Sequence, residues 1–333
     1  MALAEAAALD NTLGLPCRAD RFIAATTHDE IRAALAIAAR DASALNIVGG
    51  ASNLILASRL SGVTLQVACD DWWWEENDDQ TIRVYAQAGL SWHDLVTACV
   101  ERGWWGIENL ALIPGHVGAA PIQNIGAYGV ELADVLEAVH VIHCDDGRDA
   151  VFSRDACEFA YRDSIFKRAL AGRVVVTQVV LRLSRSPSPC LGYGDLAQRV
   201  SAHPGVREIF DAVCAVRREK LPDPAVLGNA GSFFTNPVLE ATQAGRLLRE
   251  YPTMPHFPQP NGRVKLAAGW LIERCGFKGA RWGAFGVHER QALVLVHFGG
   301  GDRQELLALA EHIRDTVQQA FGVLLEREPR LMG

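Results

Sequence analysis

Hydrophobic positions along the chain follow two periods, and the places where one gives way to the other mark its elements. Ile31, Leu35 and Ala38 recur at helical spacing behind the capping box Thr27-His-Asp-Glu30, which predicts a helix running to about Arg40. The apolar run Leu45-Asn-Ile-Val48 reads as a strand and breaks at Gly49-Gly-Ala-Ser-Asn53. That turn consists of residues that tolerate unusual dihedrals or leave N–H groups free. Thr81 to Ala88 alternates as a strand, and Ser91-Trp-His-Asp94 caps a second helix that stops at Gly103. Val139–Cys144 and Val174–Leu183 are further strands. The second runs into SRSPSPCLGYGDL, whose Ser, Pro and Gly content predicts a linker or mobile loop. A helix from about Val206 turns Ile209, Phe210, Val213 and Val216 inward and must end before Pro222, which puts Lys220 on its last turn. Ala292–Val296 is a buried strand, and GGGD then leads into a helix whose Leu306, Leu309, Ile313 and Val317 share a face, with Gly322 as its stop. VLLEREPRL closes the chain as a strand. Strands and helices alternate irregularly and several strands are adjacent, so the fold class is α+β.

Size and charge narrow the function. A chain of 333 residues exceeds one core, so two or three domains are expected, with room to bury a large ligand. At 49% hydrophobic and 21% charged, without a repeat, it is an ordinary globular chain. A net charge of -7 argues against nucleic acid or an anionic membrane as partner. An anionic small molecule stays open if cations gather locally. Arg162 with Lys167 and Arg168, and Arg217 with Arg218 and Lys220, are two such groups; taken singly, their residues fit a solvated helix face better. Eight scattered cysteines form no CxxC pair and no zinc spacing, so no metal site is expected, and they read as reduced thiols in a cytoplasm. The amino terminus MALAEAAALD carries Glu5 and no early Lys or Arg, unlike a secretory leader. The uncharged run Leu110–Val130 is interrupted by Gly, Pro, Gln123 and Asn124, which lipid would leave unsatisfied.

Candidate chemistry centres on two glycine-rich turns. GGASN and Ile113–Gly129, which reads IPGHVGAAPIQNIGAYG, could each present unpaired N–H groups and grip a diphosphate from two sides. Neither is followed by GK[ST], and neither is a GxGxxG fingerprint. GGASN alone fits a plain tight turn. The longer stretch, with four glycines, two prolines and no acid, lysine or arginine, suits a backbone that must approach something flat or multiply charged. Tyr161-Arg-Asp-Ser-Ile-Phe-Lys167 fits either a helix start capped by Asp163 or Ser164 or a functional Arg162. In Gly228–Pro237, Ser232 lacks the glycine of a nucleophile elbow, which leaves a proton-donating hydroxyl or a turn serine. His140 and His143 fall on opposite faces of a strand and cannot share a metal. Trp72-Trp73-Trp74 reads as an edge or rim without assigned function, Gly299–Gly301 as a strand-to-helix turn, and Glu326 and Glu328 are bland on spacing alone.

Taken in order, IPGHVGAAPIQNIGAYGVE, YRDSIFK, RREKLPDP, GNAGSFFTNP, KLAAGWLIE, FGVHERQALVLV and EREPRLMG span nearly the whole chain. Together they resemble the UDP-N-acetylenolpyruvoylglucosamine reductase (UDP-N-acetylmuramate dehydrogenase) family. LGYGDL resembles the loop of its longer, type I members. The resemblance implies a two-subdomain FAD-binding module of the vanillyl-alcohol-oxidase (PCMH) type plus a C-terminal α+β substrate-binding domain. The expected division is 1–70, joined by the terminal strand 323–333, then 71–205, then 206–322. The implied reaction uses NADPH and FAD to reduce the enolpyruvyl group of a UDP sugar, giving UDP-N-acetylmuramate for peptidoglycan in the cytoplasm, by a monomer. The alternative reading is a flavin-dependent alcohol or lactone oxidase of the same cofactor fold.

Carried onto this sequence, the family motifs make Arg162 and Glu328 the stabilisers of an enolate and Ser232 its proton donor. Gly49, Gly50, Ala51, Ser52 and Asn53 would hold FAD from one side. Ile113, Pro114, Gly115, Gly118 and Ala119, with Gln123, Asn124, Gly126, Ala127 and Tyr128, would hold it from the other. Tyr161, Tyr193, Lys220 and Asn236 would bind the UDP sugar. Two positions depart from the pattern: Ala51 replaces a third glycine, and His116 stands where a small hydroxyl residue is common. No histidine adjoins GGASN in sequence, as one does in relatives that bind flavin covalently, so the FAD is expected to be non-covalent.

Overall fold

The computed structural model describes residues 3–333. The reading of the amino terminus, and of a first subdomain beginning at residue 1, rests partly on two residues outside that range. β1 (Leu3–Ala8), β2 (Arg18–Ala25), α1 (His28–Arg40), β3 (Leu45–Val48), β4 (Leu54–Leu56) and β5 (Arg59–Val67) come first. They build a sheet ordered β1-β2-β5-β3, in which β5 runs parallel to both β2 and β3. Helix α1 buries Ile31, Ala34, Leu35 and Ala38 beneath it. Its Thr27 hydroxyl accepts from the Glu30 N–H at 3.2 Å, while the Glu30 carboxylate reaches back to the Thr26 N–H, closing the capping box one residue early. The GGASN turn hangs between β3 and β4.

The next elements are β6 (Trp72–Glu76), β7 (Thr81–Gln87), α2 (Trp92–Glu101), the short β8 (Gly126–Ala127) and β9 (Val130–Glu131), then β10 (Leu136–His143), β11 (Asp149–Ser153) and β12 (Val174–Ser184). Five of these strands form an antiparallel sheet ordered β11-β10-β12-β7-β6, which puts the tryptophan triplet on its edge. Trp92 opens α2 fully buried and donates its indole N–H to the Leu110 carbonyl at 3.0 Å, fixing the start of the long glycine-rich stretch against the helix. Helix α3 (Val206–Lys220) turns Ile209, Phe210, Val213 and Cys214 into the core of this sheet. The division expected at 206 would have assigned α3 to the following unit; its apolar face packs with the preceding one.

The remainder comprises β13 (Gly228–Ser232), β14 (Val238–Leu239), α4 (Ala241–Glu250), β15 (His256–Pro258), β16 (Val264–Leu266), α5 (Ala268–Arg274), β17 (Arg281–Trp282), β18 (Phe285–Val287), β19 (Val294–His297), α6 (Arg303–Phe321) and β20 (Arg330–Met332). A sheet β13-β19-β18-β17 is covered by α6, whose Leu306, Leu309, Ile313 and Val317 are buried as the spacing predicts. Asp302 caps α6 by accepting from the N–H groups of Gln304 and Glu305 at 2.8 and 3.0 Å, and Gly322 ends it at φ 66°. Asp302→Ala is expected to lower stability by about 1 kcal/mol, read as a shift in the urea midpoint without a change in slope.

The expected terminal strand is shorter than read. Only β20 joins a ladder, parallel to β4, and so returns the chain to the first sheet. Upstream, Val323 and Leu325 are buried in the core under α6, and one bridge between Phe234 and Arg327 precedes Pro329, which has no N–H to extend it. Leu13 and Leu15 also enter that core, with the Asn229 N–H bonded to the Thr12 carbonyl at 2.8 Å. Among the described residues no helix is long and apolar enough to cross a membrane.

Candidate active site

A cavity of about 550 Å³ lies where the two glycine-rich turns meet β13 and the segment before β20, a volume suited to a sizeable ligand. Gly49–Asn53 form one wall, and Ile113, Pro114, Gly118, Ala119, Gln123 and Gly126 another. The turns touch directly: a Cβ on Gly50 would stand 3.2 Å from the Gly115 Cα, and Gly115, at φ +108°, has room for no side chain beside the Ser52 hydroxyl. The Ser52 hydroxyl donates to the Pro114 carbonyl at 3.0 Å and locks the pair. Ala51 sits at φ 47°, the left-handed region that a glycine would occupy without strain.

The walls differ in what they offer. Among the described residues, the N–H groups of Gly49 to Asn53 donate to no protein acceptor. In the second stretch Gly118 donates to the Ala88 carbonyl at 2.9 Å and Ala119 to the His116 carbonyl at 3.0 Å, so these amides are already used. Gly118 serves close packing instead, since a Cβ there would lie 2.6 Å from that of Ala88. Gly115, Asn124, Ala127 and Tyr128 do not line the cavity. Asn124 is buried and braces the loop: its amide donates to Glu131 at 2.8 Å, and its oxygen accepts from the Ala133 N–H at 2.9 Å.

Arg162, Ser232 and Glu328, far apart in sequence, line this one cavity. Tyr161–Lys167 is not a helix start; it is a run of turns in which Arg162 takes φ 54°. This left-handed residue is held by its own contacts, as its side chain donates to the Gly126 carbonyl at 2.7 Å and its carbonyl accepts from Lys167 Nζ at 2.9 Å. Arg162 Nε lies 3.3 Å from Glu328 Oε1. Gln123 donates to the same oxygen at 3.2 Å and accepts from Asn53 at 2.8 Å, which links both walls to the carboxylate. Burial pushes the Glu328 carboxyl above its usual range, and Arg162, Lys167 and Gln123 pull it back. Ser232 ends β13, and the neighbouring Phe233 carbonyl accepts the Glu328 N–H at 2.9 Å, which sets Ser232 and Glu328 on adjoining segments.

The expected sugar-binding residues lie outside the cavity wall. Tyr161 accepts the Asn236 N–H at 3.4 Å, while the Asn236 side-chain oxygen accepts from Ala268 at 2.9 Å. Tyr193 stacks on Phe257 at 6.2 Å and meets Tyr128 edge-on at 5.9 Å. Lys265 Nζ lies 4.5 Å from the Tyr161 ring and 5.7 Å from that of Phe257, completing an aromatic and cationic band that reaches Arg162. Lys220 stands half-exposed 3.6 Å from Asp195.

Lys265, Phe257 and Arg330 escaped the sequence reading, and Arg217 entered it only as one of a group of cations. Lys265 and Phe257 carry no local signal. Arg217, not Lys220, lines the cavity from α3; it is partly buried, and its Nε is sealed from solvent without a protein partner. Its position was legible, since it follows Phe210 and Val213 on the helix face already assigned inward. Arg330 adds a third cation to the wall, beside Arg162 and Arg217.

Two family models match: residues 19–149 fit an FAD binding domain, and 223–332 the C-terminal domain of UDP-N-acetylenolpyruvoylglucosamine reductase. The UDP-N-acetylenolpyruvoylglucosamine reductase of Bordetella pertussis is 48% identical over 322 residues, covering 96% of this chain and 92% of that one. That of Pseudomonas aeruginosa is 47% identical over 325 residues, 96% of each. The crystal structure of the Thermus caldophilus reductase, 23% identical, superposes with a TM-score of 0.66 over 97% of this chain and 96% of its own, and shares the fold. Nearly half identical to these relatives along almost its whole length, the chain belongs to the UDP-N-acetylenolpyruvoylglucosamine reductase family.

Proposed function

We propose that the cavity holds FAD without a covalent bond and that the chain reduces UDP-N-acetylglucosamine enolpyruvate to UDP-N-acetylmuramate, at the expense of NADPH, for peptidoglycan synthesis. The observation that carries this reading is a row of unpaired amides in the same cavity as Arg162, Glu328 and Ser232. The protein groups suit the cofactor: free N–H groups and the unpaired Arg217 favour an anionic ligand, and tight glycine packing leaves the walls smooth. FAD, reduced by NADPH, supplies hydride to the enolpyruvyl group. The chain's task is to stabilise the carboxyl-conjugated carbanion that results and to protonate it. Arg162, fixed by Gly126 and Glu328, provides positive charge where charge develops. Ser232 donates its hydroxyl proton to carbon; an alkanol suffices because the carbanion is strongly basic. Glu328 holds Arg162 and Gln123 in register. Tyr161, Tyr193, Asn236 and Lys220 hold the nucleotide sugar, joined by Lys265 in the aromatic band.

Residues 1–70 with the terminal segment and 71 to about 222 form the two parts of the flavin module, and about 223–322 the sugar-binding unit. The enzyme works as a monomer in the cytoplasm, where its eight unpaired cysteines stay reduced. Purified protein should oxidise NADPH only when the enolpyruvyl sugar is present and yield the lactyl sugar, identified by mass. NADPH oxidation that ignores the sugar and consumes oxygen would replace this reading with a flavin oxidase.

A further inference from the structure

His116, which departs from the family pattern, is part of the meeting point of the two turns. A Cβ on Gly49 would lie 3.5 Å from the His116 Cβ and 3.6 Å from its Nδ1, and one on Gly50 would lie 3.2 Å from Cδ2 and 3.3 Å from Nε2. The imidazole therefore covers the open sides of both glycines, and it lines the cavity beside their free amides. A histidine that does not adjoin GGASN in sequence adjoins it in space. Nδ1 is buried without a hydrogen-bond partner, and Nε2 bonds to no protein group among the described residues. Nε2, the ring nitrogen that is not sealed off, is left for a ligand in the cavity to engage.

We propose that His116 is a proton-linked clasp on the anionic diphosphate of the bound cofactor, so that FAD is held more tightly as the pH falls. The proposal rests on the reading that FAD fills this cavity. The segments packed against the ring, Gly49–Asn53 and Ala88–Trp92, carry no charged side chain. The charged groups lining the cavity are Arg162, Glu328, Arg217 and Arg330; the first two are paired with each other. In the absence of ligand, burial alone pushes the imidazole below its usual pKa, keeping it neutral. Diphosphate oxygens beside it would reverse that shift, because a nearby negative charge favours the imidazolium and its N–H donor. Binding then takes up a proton. Affinity must rise as the pH falls through the interval between the two pKa values, and level off outside it.

Apoprotein titrated with FAD, followed by quenching of flavin fluorescence, reads this directly. The native chain is expected to bind FAD about tenfold more tightly near pH 6 than near pH 8. His116→Gln keeps a hydrogen-bonding side chain of similar reach without a titrating charge and should show no such slope. His116→Thr, which restores the small hydroxyl common in relatives, should also be flat and covers the case in which the glutamine variant folds poorly. Equal slopes in the native chain and the variants, or a flat native response, would overturn the clasp while leaving FAD in its cavity. Failure of the native chain to bind FAD at either pH would overturn the cofactor reading and the clasp with it.

Discussion

Ser232→Ala is expected to leave the bleaching of the flavin by NADPH unchanged and to slow its reoxidation by the enolpyruvyl sugar by about 10²- to 10⁴-fold, the usual contribution of a positioned general acid. The separation of the two half-reactions follows from placement. Ser232 ends β13 beside the Phe233–Glu328 backbone bond, on a different element from the free amides of Gly49–Asn53 that suit a cofactor diphosphate. Removing one hydroxyl from a half-exposed strand end disturbs no buried core, so stability should change little. Stopped-flow absorbance under anaerobic conditions resolves both phases. Unchanged reoxidation would remove the proton from Ser232, and equal slowing of both phases would assign the residue to cofactor positioning.

Arg162→Ala should produce the second large effect, in activity and in stability together. Loss of a preorganised cation where charge develops costs typically 10²- to 10³-fold in rate. The same change strips Glu328 of its nearest counter-ion; the two side chains are only 19% and 12% exposed, and breaking such a pair costs roughly 3–5 kcal/mol. The pH dependence has a definite sign. Burial already raises the Glu328 carboxyl, and without Arg162 it rises further, so the folded state binds the proton more tightly than the unfolded state. Stability is therefore highest where Glu328 is protonated in both states. It falls as the pH climbs from the ordinary carboxylate range through the raised folded value. Urea unfolding at mildly acidic and mildly alkaline pH should show the Arg162→Ala penalty growing with pH, and Arg162→Ala/Glu328→Gln should abolish that growth. A penalty independent of pH would mean that Glu328 is not the buried charge left behind.

The parts of this molecule that were legible in its sequence are those governed by local chemistry. Thr27, Ser91 and Asp302 announce helix starts by side-chain caps, and Gly322 an end by its left-handed φ, because the groups involved are neighbours in the chain. Small residues at 49–53 and 113–129 signalled a permissive backbone, yet permissiveness does not say where an N–H points. Only the fold reveals that Gly118 spends its amide on Ala88 whereas Gly49 to Asn53 keep theirs free. Spacing could not distinguish a helix start at Tyr161–Lys167 from the strained turn observed, since the contacts that hold Arg162 come from Gly126 and Glu328, remote in sequence. Arg217 was passed over for a different reason. Helical periodicity already put it inward, but the end of the helix drew attention to Lys220, which lies outside the cavity wall. The terminal strand was overread because apolar Val323 and Leu325 look alike whether they face a ladder or a core.

In the proposed reaction this cavity binds FAD and passes reducing equivalents from NADPH to an enolpyruvyl sugar. The most direct measurement is the visible spectrum of the purified protein under anaerobic conditions. It should show a flavin band that NADPH bleaches and UDP-N-acetylglucosamine enolpyruvate restores. A protein that takes up no flavin, or whose bleached flavin stays unchanged on adding the sugar and recovers only with oxygen, would contradict it.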